Sequence, residues 1–218
     1  MKAGLVLSLF AAATAWAAPP PCSPQVYPIK IQTAWVRVCE STLAAGAAEP
    51  THTHSSDVVF LALQQQPSKE NMLGGPPPQR VSSEDGDVRA IEVLRPYTHT
   101  TVNTGSAPAR TLVMELVKSR GGKAGTQKPT GGAVLENSRV RVFRYTLQPG
   151  EAAPMHQHTR PYLIVSMTPM TLSMTDPQGR NFTHDVVAGD AHFQSTPVTH
   201  EVKNAGKAAA EVVEVEVK

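Results

Sequence analysis

The chain has 218 residues and a formal net charge of +2, enough length for one large or two small domains that each bury a core. Near-neutral charge, with Lys and Arg scattered along the chain, excludes the concentrated basic face that a nucleic-acid partner requires. Aromatic residues make up only 5% of the chain, so a flat aromatic ligand would find few stacking partners.

At the amino terminus Lys2 supplies a positive region and Gly4 to Ala13 an apolar one. Ala15-Trp16-Ala17 then offers the small residues that a signal peptidase reads. Residues 1–18 are expected to be a signal peptide, which makes the mature protein periplasmic or secreted. The apolar run is too short for a membrane span, and Pro19-Pro20-Pro21 argues against a lipid anchor on Cys22. Cys22 and Cys39 are the two cysteines of the chain, and in an oxidising compartment such a pair reads as a disulfide. Closing that loop stabilises by about 3 kcal/mol in the chain-entropy model.

Beyond Cys22 the periodicity is that of strands. Ala34 to Cys39, Ser138 to Tyr145 and Ala210 to Val217 alternate apolar with polar residues, while Val58 to Leu63 and Tyr162 to Ser166 are short apolar runs of strands buried on both faces. Nineteen prolines and fifteen glycines interrupt the chain too often for long helices, so the fold class is all-β. Gln64 to Asp85, with Pro76-Pro77-Pro78 inside it, reads as a long irregular insertion. Asp176-Pro-Gln-Gly179 reads as a tight turn. Residues 120–132 are Gly-rich and read as a linker, which divides the chain into an N-terminal domain over 25–119 and a C-terminal domain over 133–218.

The two halves carry the same histidine pattern. Gly46-Ala-Ala-Glu-Pro-Thr-His52-Thr-His54 is matched by Gly150-Glu-Ala-Ala-Pro-Met-His156-Gln-His158, an offset of 104 (156 − 52). Pro96-Tyr-Thr-His99-Thr-Thr-Val-Asn103 is matched by Pro197-Val-Thr-His200-Glu-Val-Lys-Asn204, an offset of 101 (200 − 99). A nearly constant offset over half a chain means a duplicated domain. Six of the eight histidines lie in the repeated motifs. On a strand, residues two apart share a face, so His52 with His54, and His156 with His158, each aim two imidazoles one way. His99 and His200 complete two three-nitrogen sets. Imidazole suits Zn, Cu, Fe, Ni and, less selectively, Mn, and three protein ligands leave positions open. Neither cysteine recurs in the second half, so neither belongs to the repeated site.

Gly-(x)5-His-x-His followed by Gly-Asp and Pro-x-x-His-x-x-x-Asn resembles the two motifs of the cupin superfamily. The second half carries it as Gly150, His156, His158, Gly189-Asp190, Pro197, His200 and Asn204. The first carries it as Gly46, His52, His54, Gly86-Asp87, Pro96, His99 and Asn103. The resemblance covers nearly all of the mature chain and implies a bicupin: two tandem jelly-roll barrels, each with a metal-capable pocket, and a possible homodimer. Cupins commonly add a glutamate four positions after the second histidine. Here those positions hold Val58 and Tyr162, which leaves sets of three histidines, as in the iron-dependent thiol and diketone dioxygenases of the superfamily.

Three residues have weaker claims. Tyr162 is a candidate hydrogen-bond donor to a reacting oxygen, against a phenol half-buried in a barrel wall. Arg160 is a candidate clamp for a substrate carboxylate, against a solvated loop arginine. His192 alternates with Asp190 and Gln194 and either lines the second pocket or faces water. Asn103 and Asn204 are expected to satisfy backbone groups at strand ends. The functional expectation is an exported metal-binding protein acting on a small molecule, in its sharpest form a mononuclear iron dioxygenase. The alternatives are non-catalytic capture of a metal or small ligand, and a metal-dependent isomerase or lyase. The second barrel is the expected working one, because the first half's spacing from Gly86 to Pro96 is about two residues longer.

Overall fold

A computed structural model describes residues 18–75, 79–81, 84–117, 133–195 and 197–218. Residues 1–17 of the expected signal peptide and the Gly-rich segment 120–132 lie outside the described residues. Every regular element described is a strand. With strands numbered in chain order, the first half forms a five-stranded sheet in the order β1 (Ile29–Gln32), β2 (Val36–Leu43), β9 (Ala109–Leu116), β4 (Val58–Gln64) and β7 (Val88–Ile91). Facing it is a four-stranded sheet of β3 (His52–His54), β8 (Tyr97–Asn103), β5 (Ser68–Met72) and β6 (Gln79–Val81). The second half repeats the plan. Its five-stranded sheet runs β10 (Leu135–Glu136), β11 (Val140–Leu147), β18 (Ala210–Val217), β13 (Tyr162–Ser166) and β16 (Ala191–Gln194). Its four-stranded sheet runs β12 (Ala152–His158), β17 (Val198–Asn204), β14 (Met170–Thr175) and β15 (Asn181–Val186). The fold is thus all-β, two antiparallel jelly-roll barrels.

Strand parity places the core. Val36 and Val38 of β2, Val59 and Leu61 of β4, and Leu112, Met114 and Leu116 of β9 point out of the first barrel. There they meet Val140 and Val142 of β11, Leu163 and Val165 of β13, and Val213, Val215 and Val217 of β18 in one cluster. The largest core is therefore shared between the barrels, with each five-stranded sheet giving one face to it and the other to its own barrel. Residues of the opposite parity (Cys39, Val58 and Val113) line the first interior with the Cys22–Cys39 disulfide, whose Cα atoms are 5.3 Å apart.

The halves grip each other reciprocally. Gly86, at φ +85°, lies so close to Arg144 of the second half that a Cβ would come within 2.6 Å of its guanidinium, and Gly189, at φ +88°, stands in the same relation to Arg110 of the first. Arg110 is fixed by Glu40 at 2.6 Å, and Arg144 by an ion pair with Glu211. Each Gly-Asp turn needs glycine twice over, for its backbone angle and for the arginine beside it.

Two expectations need correction. β2 and β11 begin two residues later than the alternation indicates. The Thr33 hydroxyl accepts from the backbone N–H of Trp35 and Val36, and the Asn137 side chain from those of Arg139 and Val140, so a turn occupies the first positions. The segment from Gln64 to Asp85 is not an irregular insertion, since it holds β5 and β6. Ser68-Lys-Glu-Asn-Met72 lacks apolar alternation, and its strand form comes from pairing with β8, Ser68 opposite Asn103 through to Met72 opposite His99. The Asp176–Gly179 turn is present, with Gly179 N–H donating to the Asp176 carbonyl at 2.9 Å between β14 and β15. Asn103 and Asn204 are fully buried. Asn103 donates to the carbonyls of Leu43, Ala44 and Ala107, and Asn204 to those of Leu147 and Ala208.

Candidate metal centres in the two barrels

The repeated histidines meet because of strand register. β3 pairs antiparallel with β8 so that His52 stands opposite His99, and β12 pairs with β17 so that His156 stands opposite His200. Cross-strand neighbours and residues two apart on one strand share a face, and each barrel thereby gathers a triad: His52, His54 and His99 in the first, His156, His158 and His200 in the second. In the first triad the Nε2 atom of His54 lies 3.1 Å from that of His52 and 3.0 Å from that of His99. In the second the Nε2 atom of His158 lies 2.9 Å from that of His156 and 3.2 Å from that of His200.

The outer nitrogens fix what the inner ones present. His52 Nδ1 lies 2.9 Å from the Pro50 carbonyl and His156 Nδ1 2.7 Å from the Pro154 carbonyl. A carbonyl only accepts, so each Nδ1 carries the proton and turns an Nε2 lone pair toward its neighbours. His99 Nδ1 lies 2.8 Å from Glu70 Oε1 and is oriented the same way. Burial pushes His54 down to about 3 and His200 down to about 4, and also lowers His52, so these three imidazoles are neutral near pH 7. Converging lone pairs repel one another unless a cation lies between them. A metal about 2.1 Å from nitrogens at right angles puts those nitrogens about 3.0 Å apart, which is the spacing here. The donor set fits a divalent transition metal.

The two triads differ in what surrounds them. Glu70 on β5 is held below the usual carboxylate range, chiefly by its hydrogen bond to His99. At the corresponding position of β14 the second barrel has Met174, and the nearest carboxylate is instead Glu214 on β18, with Oε1 3.4 Å from His158 Nδ1. Glu49, 8% exposed, accepts from the Tyr27 hydroxyl at 2.7 Å beside His52, and its counterpart in the second half is Ala153. The segment carrying Tyr27 covers the first triad: the disulfide ties it to β2, and Thr53 N–H donates to the Pro19 carbonyl at 2.9 Å. The first triad is buried throughout, whereas His156 in the second is only half-buried. A cavity of about 500 Å³ opens beside the first triad. His52, His99, Glu49, Glu70, Tyr27 and Arg89 are among the residues on its walls.

Tyr162 stacks on His158 with ring centroids 4.3 Å apart, and burial pushes its phenol up. Val58, its counterpart, is core, and in the first barrel the stacking partner of His54 is Tyr97, at 4.9 Å, with its phenol pushed up to about 12 by burial. Arg160 follows β12 and is half-buried. His192 is exposed on β16, opposite Ile164, and does not join the triad.

Five residues near the triads were not legible as site residues in the sequence: Tyr27, Glu49, Glu70, Arg89 and Glu214. Glu70 lies in the segment read as an insertion, and the 104-residue offset would have mapped it onto β14. Arg89 occupies the position that His192 holds in the second half, and the same offset reasoning would have raised it. Nothing in the sequence marks Tyr27.

No family model matches the chain. Among curated proteins, the β-alanine degradation protein BauB of Pseudomonas aeruginosa is 33% identical over 84 residues, which span 38% of this chain and 87% of BauB. Among solved structures, AerE from Microcystis aeruginosa superposes with a TM-score of 0.64 at 12% identity, covering 89% of this chain and 99% of AerE. Oxalate decarboxylase of Bacillus subtilis, a protein with Mn(II) centres, superposes with a TM-score of 0.58 at 11% identity over 84% of this chain and 69% of its own. A variant of salicylate 1,2-dioxygenase from Pseudoaminobacter salicylatoxidans gives 0.56 at 9% identity over 84% and 70%.

Proposed function

The chain belongs to the cupin superfamily, and from that premise we propose that it is an exported metalloprotein whose first-barrel triad, His52, His54 and His99, holds a divalent transition metal and acts on a small molecule. The observation that carries this reading is the convergence of three Nε2 atoms, with the outer nitrogens of His52 and His99 held by the Pro50 carbonyl and Glu70. In its sharpest form the activity is that of a mononuclear iron dioxygenase. A metal bound there would supply Lewis acidity and open positions for substrate and O₂. The chain's own residues orient the imidazoles through Glu70 and the Pro50 carbonyl, exclude bulk water with the Pro19–Tyr27 segment, and place the Glu49 carboxylate and the Tyr27 hydroxyl at the cavity wall. We place the domain limits at 25–119 and 133–218, with 120–132 between them, and the protein in the periplasm or medium. The buried Cys22–Cys39 disulfide supports that location, because such bonds persist in oxidising compartments.

A second reading, metal or ligand capture without turnover, suits the second barrel. There His156, His158 and His200 form the same nitrogen set, but Ala153 and Met174 stand where Glu49 and Glu70 do, and the polar side chains beside the triad are Tyr162, stacked on His158, and Glu214. A metal-dependent lyase or isomerase would differ from both by turning over without oxygen. The deciding experiment is metal analysis of the mature protein and of His52→Ala/His54→Ala and His156→Ala/His158→Ala variants, followed by an O₂-uptake screen. Two metals falling to one in either variant supports two working sites. Oxygen uptake lost only with the first-half pair assigns the activity to the first barrel. No metal, even after reconstitution with Fe, Mn, Zn, Cu or Ni, defeats the reading.

A further inference from the structure

The first-barrel cavity carries opposite charges on opposing walls. Glu49 comes from the side of β3 and β8, where its backbone N–H donates to the Thr101 carbonyl and its own carbonyl accepts from the Thr100 hydroxyl. Its carboxylate is buried and, among the described residues, accepts from the Tyr27 hydroxyl at 2.7 Å on Oε2. An ionised carboxylate offers about four acceptor positions, and a buried one is costly unless more of them are used.

Arg89 comes from the facing sheet, on β7, exposed at the cavity's edge with its guanidinium 5.1 Å from the Phe60 ring centre. Among the described residues it makes no ion pair or hydrogen bond, while its charge is felt at His54 and Glu70. It thus lies at a cavity whose remaining wall mixes hydroxyl and amide groups, including those of Ser41, Gln65, Thr101 and Thr111, with apolar ones such as Leu43, Phe60 and Val113, and also carries the Asp87 carboxylate. The second barrel has neither group: its counterparts are Ala153 and His192.

We infer that the first cavity selects a small carboxylic acid that also bears an N–H or O–H donor, a short amino or hydroxy acid. Its carboxylate pairs with Arg89 and its donor hydrogen-bonds to Glu49 beside the histidine triad. Bidentate pairing gives Arg89 both affinity and orientation. The volume of about 500 Å³ admits such a ligand and sets no tight upper limit on its size. The inference rests on the first barrel being the working one, but not on any metal being bound.

The test is calorimetric titration of the full mature protein, chelator-stripped and metal-reloaded, with 3-aminopropanoate, 3-hydroxypropanoate, propanoate and 1-aminopropane. Metal content is measured on the same samples. The amino or the hydroxy acid should bind one per chain and at least about tenfold more tightly than propanoate and 1-aminopropane, the step that one charge-assisted hydrogen bond represents. Arg89→Gln should erase the advantage over 1-aminopropane, and Glu49→Gln the advantage over propanoate. Arg89→Lys should restore only part of it. Which of the two acids binds distinguishes ammonium from hydroxyl recognition. Equal binding of propanoate, insensitivity to Arg89→Gln, or no binding of any probe overturns the inference. Absence of metal with ligand binding intact overturns the metal reading alone.

Discussion

Replacing Glu70 by Gln keeps the side chain's shape and removes the charge that faces His99 Nδ1 at 2.8 Å. The carboxylate is only 18% exposed, so solvent screens the pair weakly, and its partner is one of the three imidazoles that would carry the metal. A carboxylate behind a ligating histidine fixes the tautomer and raises the basicity of the inner nitrogen, and its loss weakens metal binding by about 10–100-fold, or about 1.4–2.7 kcal/mol. The second triad is a built-in control, because Met174 occupies the position of Glu70 there. In a His156→Ala/His158→Ala background only the first triad remains, and competition of Zn²⁺ against a chelating dye at pH 7.5 reads its affinity. Glu70→Gln in that background should lose about 10–100-fold, while the same change in a His52→Ala/His54→Ala background should leave the second triad unchanged. A loss below about threefold in the first, or equal losses in both, would refute the reasoning that Glu70 anchors His99 for a metal.

Burial holds His54 down to about 3 and His200 down to about 4, whereas unfolded imidazole titrates near 6.5. Below that value the unfolded chain takes up protons that the folded one refuses, so metal-free protein should lose stability as pH falls from about 6.5 toward 4 and stay level above 6.5. Melting temperatures at pH 8, 6.5, 5 and 4 read this, and a His54→Ala/His200→Ala variant should show a shallower fall. Leu163, fully buried in the core shared by both halves, should cost about 2–5 kcal/mol as Leu163→Ala. A urea titration should give one transition, and two separated transitions would contradict a common core. Asn103→Ala strands the carbonyls of Leu43, Ala44 and Ala107 and the Gly105 N–H, at about 2–3 kcal/mol, read by the same titration. Cys22→Ser/Cys39→Ser should cost about 3 kcal/mol and free the segment that carries Tyr27, so that His52 reacts faster with an imidazole-modifying reagent. An unchanged modification rate would mean that the segment holds without its disulfide.

Strand periodicity and the frequent prolines and glycines make the all-β class legible in the chain, and the duplicated motif makes both histidine triads legible. Residues two apart must share a strand face, and a repeat at a near-constant offset must build the same site twice. Asn103 and Asn204 were legible for the same reason, as side chains that close backbone groups at strand ends. Pairing partners were not, because strand neighbours are set by the whole topology and not by local spacing. Glu70 looked like part of an insertion, since its polar strand takes its form from β8 rather than from any pattern of its own. Only the tertiary structure put Glu70 behind His99, Arg89 across the cavity from Glu49, and Tyr27 over the first triad but nothing like it over the second. Likewise the apolar parity of β2, β4 and β9 reveals a buried face but not what buries it. That the face is covered by the other barrel followed only once the two sheets were packed together, because hydrophobic burial has no direction until a partner surface is present.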